Sequence, residues 1–225
     1  EPEIPKCEEW GTMEKLSKEK DVVGIYLSGH PLDDFRFEIN QFCNAKIKDL
    51  QDLESASQRG EMRMAGIVTE VQHRMTKTGK PFGILNLEGY EDGHKFFIFG
   101  DDYVKFKGYL NMGWFLFMKG KAQKRKWGDE LEFKINSIEL LSELKDKMAK
   151  HITLKFDYDV VDAELVDWIK ELGKEKLGRC TVGFSILDRK NKQIIELKSR
   201  EMKLNLTNTL IERLEANPKV EFSVN

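Results

Sequence analysis

Residues 62–87 read MRMAGIVTEVQHRMTKTGKPFGILNL. The turn cluster at 76–81 stands between two stretches rich in strand-forming residues, which predicts two strands joined by a turn. Gly66, inside the first strand, indicates a bulge or a close backbone approach. Three further strands are predicted at 95–99, 114–123 and 131–140, with a short helix at 101–110. Five strands with a helix between the third and fourth is the order of an OB-fold barrel, which we expect over residues 61–141.

Two other zones flank this barrel and make the predicted fold α+β and multidomain. Residues 1–60 have a helical pattern, with a helix over Glu8 to Leu27 and Gly29 able to end it in a left-handed conformation. Residues 142–150 are expected to be a charged linker. Residues 151–225 show the order strand, helix, strand, strand, helix, strand, which predicts a small βαββαβ sandwich domain.

The composition limits the classes of ligand. Hydrophobic residues make up 40% of the 225 residues, charged residues 34%, and the net charge is -2. A core can therefore form, but nucleic acid would have to be bound by a local basic patch. Three scattered cysteines without a CxxC pair favour a reducing cytosol over a disulfide framework or a zinc site. No apolar stretch approaches the roughly 20 residues of a membrane span, and the acidic, Pro-rich start is unlike a signal peptide. Because the chain begins with Glu1 rather than Met, we expect a processed protein or a fragment.

No catalytic constellation is found among the sequence motifs. The phosphate loop, the dinucleotide-binding loop, the zinc-protease pair and the hydrolase elbow are all absent. Asp101 and Asp102 could bind a metal, but Asp is a favoured helix cap, so one of them is expected to cap the helix after the third strand. Asp162 is expected to cap the first helix of the tail in the same way. We predict no catalytic residue, metal, cofactor or small-molecule substrate for this chain.

A basic cluster points to nucleic acid. Five cations fall within residues 119–126 and are followed by Trp127. In an OB-fold this loop and the loop between the first two strands flank the binding face, where cations follow phosphates and aromatic rings stack on bases. The candidate site residues are Arg74, Lys77, Lys80, Phe82, Lys121, Lys124, Arg125, Lys126 and Trp127.

Two questions about this site stay open at the level of sequence. The basic loops could be solvated hairpins, with Trp127 folded onto its own barrel. Phe96, Phe97, Ile98 and Phe99 alternate along the third strand, so one pair belongs to the core and the other pair faces outward. Parity alone does not say which pair is which.

The stretch YLSGHPL at 26–32, followed by AGIV at 65–68 and TGKPF at 78–82, resembles the bacterial DNA polymerase III alpha subunit. The resemblance covers residues 10–140; from Ile152 onward it rests on the order of elements. It implies a parent DNA polymerase whose metal-binding aspartates, which would use Mg²⁺, lie upstream of this chain. It also implies that the OB domain contacts single-stranded template DNA. The tail would dock a clamp-loader subunit, among other replisome proteins.

Two alternatives compete with this interpretation. The barrel sequence, including Gly66, Gly79, Lys80 and Phe82, is also similar to the anticodon-binding OB domain of class II aminoacyl-tRNA synthetases. The barrel could instead be a purely structural module that bridges neighbouring domains. Salt-sensitive binding of single-stranded DNA, preferred over folded tRNA, is the behaviour expected of the first interpretation.

Overall fold

The computed structural model of the chain describes residues 10–125, 128–174 and 178–225. They form two units, each built around its own sheet. The first unit runs to Ile39 and continues over Cys43–Ile138, and the second comprises Asn40–Phe42 and Glu139–Asn225. None of the helices formed by the described residues has the length and apolar character needed to span a bilayer.

The first sheet contains five strands in the order β3-β2-β1-β4-β5. Its strands are β1 (Met62–Met75), β2 (Pro81–Glu88), β3 (Gly93–Phe99), β4 (Phe115–Lys124) and β5 (Leu131–Leu140). Its helices are α1 (Thr12–Val23), α2 (Arg36–Phe42, whose last three residues belong to the second unit), α3 (Leu53–Gln58) and α4 (Gly100–Phe106). The strands and the helix after β3 therefore appear in the predicted order.

Strand β1 is divided between two neighbours. Met62–Ile67 pairs with β4, and Ile67–Met75 pairs with β2. Gly66 lies at the changeover, where a Cβ would come within 2.6 Å of the Glu88 carbonyl oxygen. The expected close approach is therefore present at Gly66, whereas the bulge lies between Val68 and Glu70.

Two predicted helix ends differ from the structure. Helix α1 stops at Gly24, which takes the left-handed conformation (φ 84°) instead of Gly29. Beyond it, the Glu19 carboxylate accepts backbone N–H bonds from Leu27 and Ser28, both at 2.8 Å, which holds the chain out of the helix. Neither Asp101 nor Asp102 caps α4: Phe99 occupies the N-cap without a side-chain bond, and the two aspartates lie in the first turn. Acidic side chains there complement the positive end of the helix dipole.

The predicted helical zone does not form a separate unit. Leu16, Leu32, Ile47 and Leu50 are buried. In addition, Lys20 of α1 forms an ion pair with Glu88 of β2. The apolar stripe of this zone is buried within the same unit as the five-stranded sheet, so residue 60 is not a boundary between units.

The second sheet has four strands in the order β8-β7-β6-β9, with β6 and β7 parallel and the other neighbours antiparallel. The chain order is α5 (Leu144–Met148), β6 (His151–Asp157), α6 (Ala163–Leu172), β7 (Cys180–Asp188), β8 (Gln193–Leu204), α7 (Asn208–Glu215) and β9 (Glu221–Val224). Asp162 caps α6 as predicted, since its carboxylate accepts the Leu165 N–H at 2.8 Å. The stretch expected to be a linker instead holds a 3-10 turn and α5, with Leu141 and Leu144 fully buried.

The Gly66 contact can be tested by stability. Gly66→Ala places a methyl group against backbone as well as side chains, and overpacking of this kind costs about 1–3 kcal/mol. We expect the urea midpoint to fall accordingly. Gly108→Ala is the matched control, because nothing lies within 4 Å of the Cβ it would gain. Equal midpoints for the two variants would contradict the close approach.

Candidate nucleic-acid interface

A row of aromatic rings lies on the outer face of β2 and β3. Phe82 pairs with Phe99 across the two strands, and their rings stack with centroids 4.9 Å apart at 21°. Phe97 continues the row, 6.5 Å from Phe99 at 10°. Phe97 and Phe99 are 57% and 52% exposed, whereas Phe96 is 4% exposed. The outward pair on β3 is therefore Phe97 and Phe99.

Cations stand at one end of this row. Arg74 of β1 pairs with Phe82 and so shares its face of the sheet. The turn that follows is closed by the Thr76 N–H donating to the Lys80 carbonyl at 2.8 Å, with Gly79 in the left-handed conformation. Lys77 and Lys80 are exposed on this turn. Within the described ranges, Arg74, Lys77 and Lys80 form no ion pair, so these charges are available to an anionic ligand.

A groove of about 410 Å³ opens between the edge strands β3 and β5. Buried Phe96 of β3 and Phe133 of β5 approach each other, with ring centroids 6.0 Å apart. Gly120 of β4 leaves space for the Phe133 ring, which a Cβ would meet at 2.4 Å. The lining includes Phe97, Phe99, Gln123, Arg125, Glu132 and Phe133. The aromatic row therefore continues into a recess that holds both polar and charged groups.

Two cations at the end of β4, Lys124 and Arg125, are paired with acids of the same hairpin. Arg125 forms ion pairs with Glu130 at 2.8 Å and Glu132 at 3.7 Å, and Lys124 pairs with Asp129 at 3.2 Å. These pairs are exposed, and exposed pairs typically contribute about 0–1 kcal/mol, so a phosphate could compete for the cations. Lys124 and Arg125 nevertheless add less net positive charge to this surface than the sequence indicates.

The remaining predicted residues fall in different places. Lys121 is exposed on β4 and, by alternation, shares a face with Gln123 and Arg125. It has no ion pair among the residues that the structure describes. Lys126 and Trp127 lie outside the described residues. The structure thus brings Arg125 into the groove with the ring row, and Arg74 beside that row, while Lys124 is not among the lining residues.

Sequence reasoning did not nominate Phe97, Phe99, Gln123 or Glu132. The alternation of β3 limited the choice to two pairs, but both pairs were apolar and the core could have taken either. Gln123 and Glu132 carried no signal of their own, because the groove depends on how two edge strands approach.

The opposite end of the face is also charge-balanced. Glu70 of β1 and Lys95 of β3 both pair with Asn86 of β2, and their side chains form an ion pair at 2.9 Å. The hydrogen bond from Lys95 holds the pKa of Glu70 below its usual value. Across the described part of the chain, no three His, Cys, Asp or Glu side chains are grouped so as to hold a metal ion.

Comparison with known proteins identifies the relatives of this chain. Residues 152–225 match the family model for the C-terminal domain of the DNA polymerase III alpha subunit. The chain is homologous to the C-terminal region of that subunit. The tail, in which no sequence motif was found, is thus the part that the family model matches.

Whole alpha subunits from several bacteria also match. That of Pseudomonas aeruginosa is 22% identical over 79% of this chain, that of Campylobacter jejuni 31% over 66%, and that of Bacillus subtilis 24% over 87%. The chain covers 15%, 12% and 17% of these alpha subunits, respectively. It therefore corresponds to a small part of each.

Solved structures give only a distant likeness. A mitochondrial single-stranded DNA binding protein from S. cerevisiae, Rim1, is 14% identical with a TM-score of 0.28, over 36% of this chain and 94% of its own. An Entamoeba histolytica asparaginyl-tRNA synthetase is 15% identical with a TM-score of 0.29, over 47% of this chain and 26% of its own. TM-scores this low do not decide between a single-strand-binding and a tRNA-binding function.

Substitutions on the two faces of β3 should differ greatly in how much they lower the free energy of unfolding. Phe96→Ala removes a buried ring and should cost about 3–5 kcal/mol. Phe97→Ala removes an exposed ring and should stay within about 0.5 kcal/mol of the parent. Urea denaturation of both variants checks this. A large loss for Phe97→Ala would mean that this ring belongs to the core and is not free for a ligand.

Proposed function

We propose that this chain is the binding region of a bacterial replicative DNA polymerase alpha subunit. In this proposal residues 61–141 form an OB-type barrel that binds single-stranded template DNA, and residues 151–225 dock a clamp-loader subunit of the replisome. The chain itself carries out no bond chemistry. Nucleotide transfer, with its Mg²⁺, is assigned to the rest of the full-length protein, in the cytoplasm.

The exposed ring row carries the proposal for DNA. Burying Phe97 and Phe99 in the core would have satisfied the hydrophobic effect, yet these two rings stand in solvent and lie nearly parallel to each other. Every base has a π-face, so such rings bind unpaired bases without regard to sequence, at roughly 1–3 kcal/mol per base. The cations of the neighbouring β1–β2 turn can follow the phosphates.

Barrel closure is supported by the contacts between the two edges of the sheet. Phe96 meets Phe133, and Lys134 of β5 forms an ion pair with Asp102 at the start of α4. These contacts bring β5 beside β3 and its following helix. The strand order and the helix after β3 support an OB-fold, in which strands two and three form the binding face. The sequence relatives are DNA polymerase subunits, which favours DNA over tRNA as the ligand.

The rings should dominate affinity. We expect labelled oligo-dT to bind the full chain in fluorescence anisotropy, and Phe97→Ala/Phe99→Ala to weaken binding about tenfold to a hundredfold. Tyr158→Ala, which removes an exposed ring from the tail, should bind like the parent. Tighter binding of folded tRNA than of oligo-dT would favour the anticodon-binding alternative. No oligo-dT binding at low salt would favour the structural one.

The cations should set the salt dependence. Lys77→Ala/Lys80→Ala should weaken binding and flatten the plot of log affinity against log salt by about 0.7 for each phosphate that the variant no longer neutralises. Lys124→Ala/Arg125→Ala should have a smaller effect, because these two side chains already have acidic partners. An unchanged slope in the first variant would show that the β1–β2 turn does not contact phosphates.

Docking by the tail is supported by exposed apolar side chains on β8. Ile195 and Leu197 of β8 share one face of the strand, and both are at least 40% exposed. Exposed apolar groups that cluster on a small domain commonly mark a protein interface. The tail therefore has a surface suited to a protein partner.

Hydrogen exchange should locate this docking. When the full chain is mixed with the clamp-loader subunit of the same bacterium, slowed amide exchange is expected within residues 151–225. The Phe97→Ala/Phe99→Ala variant, which is altered in the other unit, should show the same protection. Protection confined to residues 61–125 would place the docking surface on the proposed barrel, and no protection at all would refute the docking function.

A further inference from the structure

Strand β8 has a free edge. It is the outermost strand of the second sheet, and Gln193–Lys198 pairs with β7 on one side only. In the described part of the chain, no backbone hydrogen bond leads from this stretch to any element other than β7. An edge strand of this kind presents a row of N–H and C=O groups to any extended chain that approaches it.

The apolar face of the sheet continues out to this edge. Leu197 pairs with Phe184 of β7, which pairs with fully buried Leu154 of β6. Ile195 stands two residues away on the same face, opposite Ile186. Leu197 and Ile195 are 50% and 40% exposed, so the core face ends in two uncovered side chains at alternate positions.

The surroundings of the edge are basic. Lys192, Lys198 and Arg200 flank it, and none has an ion pair among the described residues. Glu196 is the only acid between residues 192 and 200. An approaching segment with carboxylates would therefore be favoured over a basic or neutral one.

The free edge has a defined length. Lys198 pairs with Gly183, but the next pair is Lys203 with Thr181, so four residues of β8 bulge against a single residue of β7. Met202, in the bulge, packs near Gly173 after α6, 3.4 Å from the position of a Cβ there. The straight edge thus runs over six residues, from Gln193 to Lys198.

We propose that this edge binds an extended segment of a protein partner by strand addition. The segment carries apolar side chains at alternate positions, which cover Ile195 and Leu197, and carboxylates that meet Lys192, Lys198 and Arg200. Its backbone pairs with Gln193–Lys198. The proposal rests on the docking function of the tail and specifies where and how the partner binds. A second copy of this chain fits less well, because two basic edges would bring like charges together.

A synthetic peptide provides the first test. The probe is an eight-residue peptide of alternating Glu and Val, added to the isotope-labelled full chain and followed by NMR. We expect the amide signals of Gln193–Lys198 to shift most. A peptide methylated on its backbone nitrogens should lose binding, since it cannot pair with a strand edge. Shifts centred elsewhere, equal binding of the methylated peptide, or no binding would each overturn the proposal.

A matched pair of substitutions separates the two faces of β8. Leu197→Ser should lower the affinity for the peptide about tenfold, because it removes an apolar side chain from the proposed contact face. Ile194→Ser, on the opposite face, should change binding by less than about twofold. Both substitutions leave the charge unchanged. Equal effects, or self-association of the free chain in sedimentation that Leu197→Ser abolishes, would contradict a partner bound at this face.

The clamp-loader subunit then distinguishes this proposal from the docking function itself. If that subunit slows amide exchange in Gln193–Lys198, and the Leu197→Ser variant loses this protection, both the docking function and the edge site are supported. Protection elsewhere in the tail that Leu197→Ser leaves unchanged refutes the edge site while docking stands. Peptide binding at the edge without any clamp-loader binding supports the edge site and refutes the partner assigned to the tail.

Discussion

The changeover of β1 from one partner strand to another is the constraint on which the first unit depends. Gly66 has to lack a side chain there, because the Glu88 carbonyl, Leu87 and Ile47 all occupy the space of a Cβ. The bulge after Val68 then re-registers the strand against β2. With β4 on one half of β1 and β2 on the other, the outer strands β3 and β5 come close enough for Phe96 and Phe133 to touch. The groove and the ring row both follow from this arrangement.

Local signals in the sequence predicted the strands well. The bounds predicted for β1 and β5 are those of the structure, and the helix after β3 is present. Predictions that required a choice between similar residues, such as two glycines that could each end a helix, were less accurate. Gly24 and Gly29 can both end a helix. The helix ends at Gly24, and the Glu19 carboxylate accepts hydrogen bonds from the backbone of Leu27 and Ser28 beyond it.

The sequence indicated which kinds of residue would form the candidate site, namely cations and aromatic rings, but not which of them are paired or exposed. Charges are visible in a sequence, whereas their partners are not: Arg125 and Lys124 are held by acids across their own hairpin. For the aromatic rings, the sequence did not show which of them face the core. Phe97 and Phe99 were visible as part of an apolar run, but only the packed structure shows that the core uses Phe96 and Ile98 instead. Register is set by whole-sheet packing, and a one-residue slip would exchange the two faces.

The internal ion pairs of the loop after β4 have a kinetic consequence. The two opposite charges of an ion pair nearly cancel at distances well beyond their separation, so Arg125 and Lys124 exert little pull on a distant polyanion. The turn between β1 and β2, where Lys77 and Lys80 form no ion pair in the described part of the chain, contributes more to the long-range field than Lys124 and Arg125 do. In the proposed DNA-binding function, diffusional steering of an anionic strand would begin at that turn, and ring stacking would follow as a short-range step of capture.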